Sequence, residues 1–298
     1  MKFVLASLLV LACACKKDKE APPATTTTGS ATPGSGSSMM ASGSGSGSGS
    51  GSSMAGSAEQ PPPAPYTPAA DVPAPIKDAI AAPDRSEADR RLDAGRKPGE
   101  TLAFFGIAPG QKVEELFAGG GYTTELLARI VGDKGHVYAE NTTEVLDKFA
   151  RKPWTERAAK PVMKNVTSVE RPIDDPFPAE AKNLDAVIIV LNYHDTVWMK
   201  ADRGKMNKAV WKALKKGGVY GIIDSSATKG SGTKDSETLH RIDEDLVKKE
   251  VTAAGFKLAG ESDVLRNPDD KRDWNSSPKA AGNKRGTSDR FVLKFKKA

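Results

Sequence analysis

The run LDAVIIVL, from Leu184 to Leu191, constrains the chain most. It is a continuous apolar stretch, as expected of a central strand covered on both faces. The segments around it alternate in hydrophobic period. Val113 to Phe117 reads as a strand, and Tyr122 to Val131 as a helix burying Leu126, Leu127, Ile130 and Val131. A second strand closes at Glu140, and a second helix, Thr142 to Arg151, turns Val145, Leu146 and Phe149 inward. NVTSVER is a weak third strand, Met199 to Lys215 a helix stopped by Gly217 and Gly218, and VYGIID a fifth strand. Ser236 to Ala254 reads as one helix ended by Gly255, and FKLAGESDVL and RFVLKFK as two last strands that pair antiparallel. Upstream, Pro98 suits a helix start, with Leu102, Phe104 and Phe105 on its buried side. Strands alternating with helices imply a mostly parallel sheet with helices on both faces. Ligands bind such sheets at the carboxyl ends of the strands. The site is therefore expected just after Phe117, Glu140, Leu191 and Asp224.

The first quarter of the chain obeys different rules. Residues 1–15, MKFVLASLLVLACAC, join Lys2 to an apolar stretch from Phe3 to Ala12. That stretch is shorter than the roughly 20 residues a membrane span needs, and fits the apolar region of a secretory signal. Small residues before a cysteine resemble a bacterial lipoprotein box, with Cys13 (or Cys15) as the acylated residue. Export with a membrane lipid anchor, facing the periplasm or the outside, is the expectation. No other cysteine exists, so the domain is expected to hold no disulfide and no cysteine-ligated metal, and no metal ligand is assigned. Residues 16–74 are Gly/Ser-rich and then Pro-rich, a composition with little to bury and much entropy to lose. They read as a disordered tether spanning roughly 40 Å root-mean-square, which leaves 75–298 as the folded domain. The net charge is +6, but basic and acidic residues are interspersed and no nucleic-acid motif appears. No nucleic-acid partner is expected.

The stretch VEELFAGGGYTTELLARI holds three glycines between a strand and a helix. Gly119 and Gly121 form a G-x-G turn, which lets the backbone leave the strand sharply and a ligand come close. A dinucleotide fingerprint would add a glycine three residues on, where Thr124 stands. Glu140 closes the next strand, where an acid can accept from both hydroxyls of a ribose. Together they describe a site for an adenosine-like ligand without a pyrophosphate. After the central strand, NYHD places Asn192, Tyr193, His194 and Asp195 at a strand end. His194 could take a proton from a nucleophile, with Asp195 orienting it or capping the next turn. His240 and Arg241 open a later helix, where the arginine could hold a carboxylate or the pair could be plain surface. The loop 225–235 and the long connection 266–288, with Trp274 as its large apolar group, are a lid over the pocket or disordered.

On VEELFAGGGYTTELLA, VYAEN, VLNYHD, LKKGGVYGIID and LHRID, residues 85–298 resemble the class I S-adenosylmethionine-dependent methyltransferases. The likeness is greatest to a bacterial group of predicted, often exported, methyltransferases. The resemblance implies an α/β, Rossmann-like, doubly wound sheet of seven strands, mostly parallel with an antiparallel last strand. It implies S-adenosyl-L-methionine as cofactor and a small-molecule methyl acceptor. By resemblance, Glu115, Gly119 and Gly121 contact the methionine part, Glu140 the ribose, and Asp174 or Asp175 lies near the adenine. Ala118, Gly120, Asn141 and Asn192 complete the cofactor set. Tyr193, His194, Asp195 and His240 are the catalytic candidates. Phe117 stands where many members have a first glycine, narrowing the pocket mouth, and Lys216 replaces a common proline. The rival reading is a non-catalytic lipoprotein that binds a nucleoside or another small molecule on the same fold.

Overall fold

The computed structural model describes residues 65–298. The leader, Cys13, Cys15 and most of the tether lie outside them. Seven strands form one sheet: β1 (Lys112–Leu116), β2 (His136–Asn141), β3 (Val166–Glu170), β4 (Leu184–Val190), β5 (Leu214–Ser225), β6 (Phe256–Ser262) and β7 (Arg290–Lys297). Their order is β3-β2-β1-β4-β5-β7-β6. The pairs from β3 through β5 are parallel, and β7 runs antiparallel to both β5 and β6. The topology and the antiparallel closing strand are those expected from the sequence. Successive strands are laid down outward from β1 in one direction and from β4 in the other, so the switch point between these two parallel strands opens a crevice at their carboxyl ends.

Side chains alternate between two layers along each strand. Ala186 and Ile188 of β4 face one layer, where α1 (Ala74–Ala81), α3 (Pro98–Phe105) and α4 (Tyr122–Val131) supply residues such as Ile76, Leu102, Leu126 and Ile130, with α2 (Glu87–Arg96) on the same side burying Asp89 and Asp93. Val187 and Ile189 face the other. The helix after β2 is a composite: α5 (Thr143–Val145), a π turn over Leu146–Ala150, and α6 (Arg151–Ala158). The π turn shifts the helical phase and turns Phe149 outward, 69% exposed, where the 3.6 period had placed it inward. The second layer carries α7 (Asp195–Trp198), α8 (Arg203–Ala213), α9 (Ser236–Leu239) and α10 (Glu244–Ala253), with Met206, Val210, Val247 and Val251 fully buried. Each such aliphatic side chain contributes about 1.5–3 kcal/mol of burial.

Three boundaries differ from the sequence reading. The domain starts before residue 75: the Tyr66 hydroxyl donates to Glu100 and accepts from the Gly99 amide at 2.9 Å, and Val72 is buried. The GG of LKKGG does not stop a helix. Leu214 pairs with Leu184 and Val219 with Ala186, so residues 215–218 form a bulge inside β5, with Gly217 at φ +75°. The helix expected over Ser236 to Ala254 breaks at His240, which adopts φ +51° and ends α9. Asp243 then caps α10 by accepting from the Asp245 amide at 3.0 Å.

Candidate functional site

The glycine turn is stitched to the end of β2. The Ala118 amide donates to the Glu140 carbonyl (2.8 Å), the Phe117 amide to Glu140 Oε2 (3.0 Å) and the Gly119 amide to Asn141 Oδ1 (2.7 Å). Gly119 and Gly121 both hold positive φ, +56° and +81°, but their surroundings differ. A Cβ on Gly121 would lie 2.9 Å from the Trp154 ring and 2.7 Å from Arg157 Cδ, so this glycine lets α6 pack on the turn. A Cβ on Gly119 would meet nothing closer than the Phe117 carbonyl at 4.0 Å, so that side of the turn is open. Arg157 also donates to the Gly120 carbonyl (2.6 Å) and pairs with Asp89 (2.7 Å) and with Glu125.

Phe117 itself sits at φ +54°, a conformation that costs a residue with a Cβ about 1–2 kcal/mol. Its ring is buried with Leu116 and Tyr138 rather than standing at a pocket mouth. The buried ring offsets the backbone strain. Phe117→Gly relieves about 1–2 kcal/mol of strain but loses about 3–5 kcal/mol of core packing. The expected net loss is about 1–4 kcal/mol in urea unfolding, and an unchanged midpoint would show that the ring contributes no net stability.

Four acids were assigned to the cofactor or its neighbourhood, and the structure separates them. Glu140 is fully buried; Oε2 holds Phe117 and Oε1 has no partner. Burial pushes its carboxyl up to about 8, against the pull of the Phe117 amide. Glu115, buried on the opposite face of the sheet, accepts from Thr124 Oγ1 at 2.5 Å, and burial raises it to about 7. Asp174 pairs with Lys205 (3.0 Å) and Asp175 with Arg171 (2.5 Å). Asn141 braces the glycine turn through both ends of its amide. One more acid was missed: Glu114 is fully buried with both oxygens unpartnered, and burial with Glu140 nearby pushes it up to about 9.

The NYHD loop splits into two roles. The Tyr193 hydroxyl is buried behind the loop, donating to Glu250 (2.9 Å) and accepting from Asn207 (2.8 Å). This gives it a packing role in place of the catalytic one expected. His194 turns to the other side. Its amide and Nδ1 both meet Asp224, at 2.8 and 2.7 Å, and its Nε2 lies 3.1 Å from His240 Nδ1 and 3.2 Å from Asp195 Oδ1. Burial would lower the His194 pKa, but Asp224 and Asp195 outweigh it and push the ring up to about 10. Asp195 resists burial and is held well below the usual carboxylate range by His194 and His240. Its other contacts are Trp198 Nε1 (2.8 Å) and Asn192 Nδ2 (2.9 Å). Asn192 thus orients Asp195.

Arg241 finds its carboxylate within the chain. Fully buried, it pairs with Asp270 at 2.8 Å, donates to the Ser226 and Trp274 carbonyls, and lies over the Trp274 ring at 4.7 Å. The connection expected to be a lid or disordered is therefore clamped. Arg272 and Asp289 add a second tie at 2.8 Å. Loop 225–235 is held in turn by Asp243, which accepts from the Gly230 amide at 2.7 Å. Beneath the N-terminal helices, a cavity of about 20 Å³ is bounded by Arg96, Thr101, Tyr122, Thr123, Val190 and Ile223. That is room for about one water.

No family model matches the sequence, and no curated protein matches it. Solved structures do match. The chain is similar to a SAM-dependent methyltransferase from Aquifex aeolicus, with 18% identity and a TM-score of 0.51 over 75% of this chain and 98% of that one. It is also similar to a candidate sarcosine dimethylglycine methyltransferase from Galdieria sulphuraria, with 16% identity and a TM-score of 0.51 over 74% and 91%. The fold is that of the S-adenosylmethionine-dependent methyltransferases.

Within this methyltransferase fold, most of the predicted residues fall into two groups, with Glu115, Asp174 and Tyr193 standing apart from both. Ala118, Gly119, Gly120, Gly121, Glu140 and Asn141 meet at the ends of β1 and β2. Asn192, His194, Asp195 and His240 meet beyond β4, on Asp224 at the end of β5. The sequence reading marked the end of VYGIID as a site position but gave Asp224 no role. Arg157 and Arg96 carried no signal, because each reaches the site region from a distant helix.

Proposed function

We propose that the chain binds S-adenosyl-L-methionine at the glycine turn and transfers its methyl group to a small-molecule acceptor. The observation that carries this reading is Glu140. A buried carboxyl at the end of β2, with one oxygen fixed by Phe117 and the other unpartnered, is suited to accept from a ribose hydroxyl. The open side of Gly119 lies on the same turn, where a backbone can approach a ligand closely. Near the methionine end, Arg96 stacks on Tyr122 at 4.4 Å and lies within electrostatic reach of Glu115. A cation and an acid in one neighbourhood suit the carboxylate and ammonium of an amino acid. When bound, the sulfonium supplies an electrophilic methyl and its own leaving group. The protein's part is to align the acceptor and exclude water. Asn192 positions Asp195, and Asp224 positions His194, at the ends of the neighbouring strands. The leader and the cysteines Cys13 and Cys15 support a place of work outside the cytoplasm, tethered by a lipid.

Calorimetry of the full chain with S-adenosylmethionine and S-adenosylhomocysteine tests the cofactor. Binding well below millimolar is expected for both. Gly119→Ala should weaken it at least about tenfold, or 1.4 kcal/mol, while lowering stability only by the strain of a left-handed alanine, about 1 kcal/mol. Gly121→Ala tests something else, since its Cβ strikes Trp154, and its first effect should be on folding. Absence of binding by both nucleosides would remove the reading.

A further inference from the structure

We propose that His194, Asp195 and His240 form a binding site for one divalent transition-metal ion. Three potential ligand atoms converge there. His194 Nε2 and His240 Nδ1 are 3.1 Å apart, His194 Nε2 and Asp195 Oδ1 3.2 Å, and His240 Nδ1 and Asp195 Oδ1 3.5 Å. An ion with four ligands at about 2.0–2.1 Å sets its donor atoms about 3.3–3.4 Å apart. The triangle already has that size, so an ion can enter with shifts of a few tenths of an ångström.

The surroundings support the same assignment. A metal-ligating imidazole typically gives its other N–H to a carboxylate, which fixes the ring and its tautomer. His194 Nδ1 does so to Asp224, which is fully buried and held by the His194 and Ser225 amides. Asp195 is fixed by Asn192 and Trp198. His240 is brought in by a strained backbone, φ +51°, with its carbonyl tied by the Ser276 hydroxyl at 2.7 Å. Its side chain remains 29% exposed, so solvent reaches the cluster. Three protein ligands with an open position are the pattern of a reactive rather than a purely structural ion. Two imidazoles and one carboxylate select zinc, cobalt, nickel or iron over magnesium and calcium. The open position would take water, or an oxygen or nitrogen of the methyl acceptor.

The test is a metal titration that involves neither the nucleoside nor turnover, so its outcome is independent of the cofactor reading. The full chain is used with Cys13 and Cys15 changed to serine, so that no thiolate competes. After chelation, Co2+ is added and its visible absorption followed, with Zn2+ and Mg2+ as competitors. Expected are one Co2+ per chain, displacement by Zn2+ and none by Mg2+. Asp195→Asn and His240→Ala should each weaken binding by at least about 100-fold, the upper end of what loss of an outer partner costs. His136→Ala should not, since that ring meets Thr167 at the amino end of β2. Saturating Zn2+ should also raise the melting temperature of the unaltered chain. The proposal is overturned if the unaltered chain takes up Co2+ no more tightly than His240→Ala, or if Zn2+ leaves its melting temperature unchanged.

Discussion

Arg241→Ala is expected to lower the free energy of unfolding by about 3–5 kcal/mol. The guanidinium is fully buried, and Asp270 beside it is 1% exposed. Removing the arginine strands a carboxylate that also accepts from the Asp289 and Arg272 amides and from Trp274 Nε1. The Ser226 and Trp274 carbonyls lose their donor too. Breaking a buried pair is far costlier than never having had one, because the uncompensated charge remains. The double variant Arg241→Met, Asp270→Leu should be no more stable than Arg241→Ala, because it also leaves those three donors without an acceptor. Urea unfolding of the three proteins measures both differences. A loss under about 1 kcal/mol for Arg241→Ala, the size of an exposed pair, would show that the connection is not clamped as described.

Glu114→Gln should stabilise the protein, and more so as pH rises. Burial and nearby Glu140 push Glu114 from its ordinary 4.5 up to about 9. The folded chain then holds a proton that the unfolded chain releases. Stability from such a group is fully present below about pH 4.5 and is lost progressively as pH rises through 9. At pH 7 the loss already amounts to about 3 kcal/mol, at 1.36 kcal/mol per unit. Glutamine keeps the shape and has no proton to lose, so it should recover much of that amount. Urea midpoints at pH 5, 7 and 9 give the comparison. The unaltered chain should fall more steeply than Glu114→Gln, and parallel slopes would mean that Glu114 is ionised in the folded state.

The sheet was legible because its signals are local. LDAVIIVL is short, apolar and rich in β-branched residues, which favours a strand with two covered faces, and the glycine turn and Glu140 mark where β1 and β2 end. The helical errors arose where local signals mislead. No residue type announces a π turn, so Phe149 was assigned inward. A positive φ is uncommon for any residue other than glycine, so the break at His240 looked like continuous helix. The site was legible in its strand-end residues and illegible in its supports. Asp224 lies 30 positions from His194, and Arg241 29 from Asp270. Such pairings depend on how the sheet assembles, and no short spacing encodes them.

His240 shows how fitness and durability can diverge at one position. Glycine or asparagine would hold its backbone conformation with less strain, by up to about 1–2 kcal/mol. A population of variants screened only for resistance to heat should therefore drift away from histidine there. One screened for whatever the His194–Asp195–His240 cluster does should keep it. The residue found at 240 after each screen would report which pressure shaped this corner of the molecule.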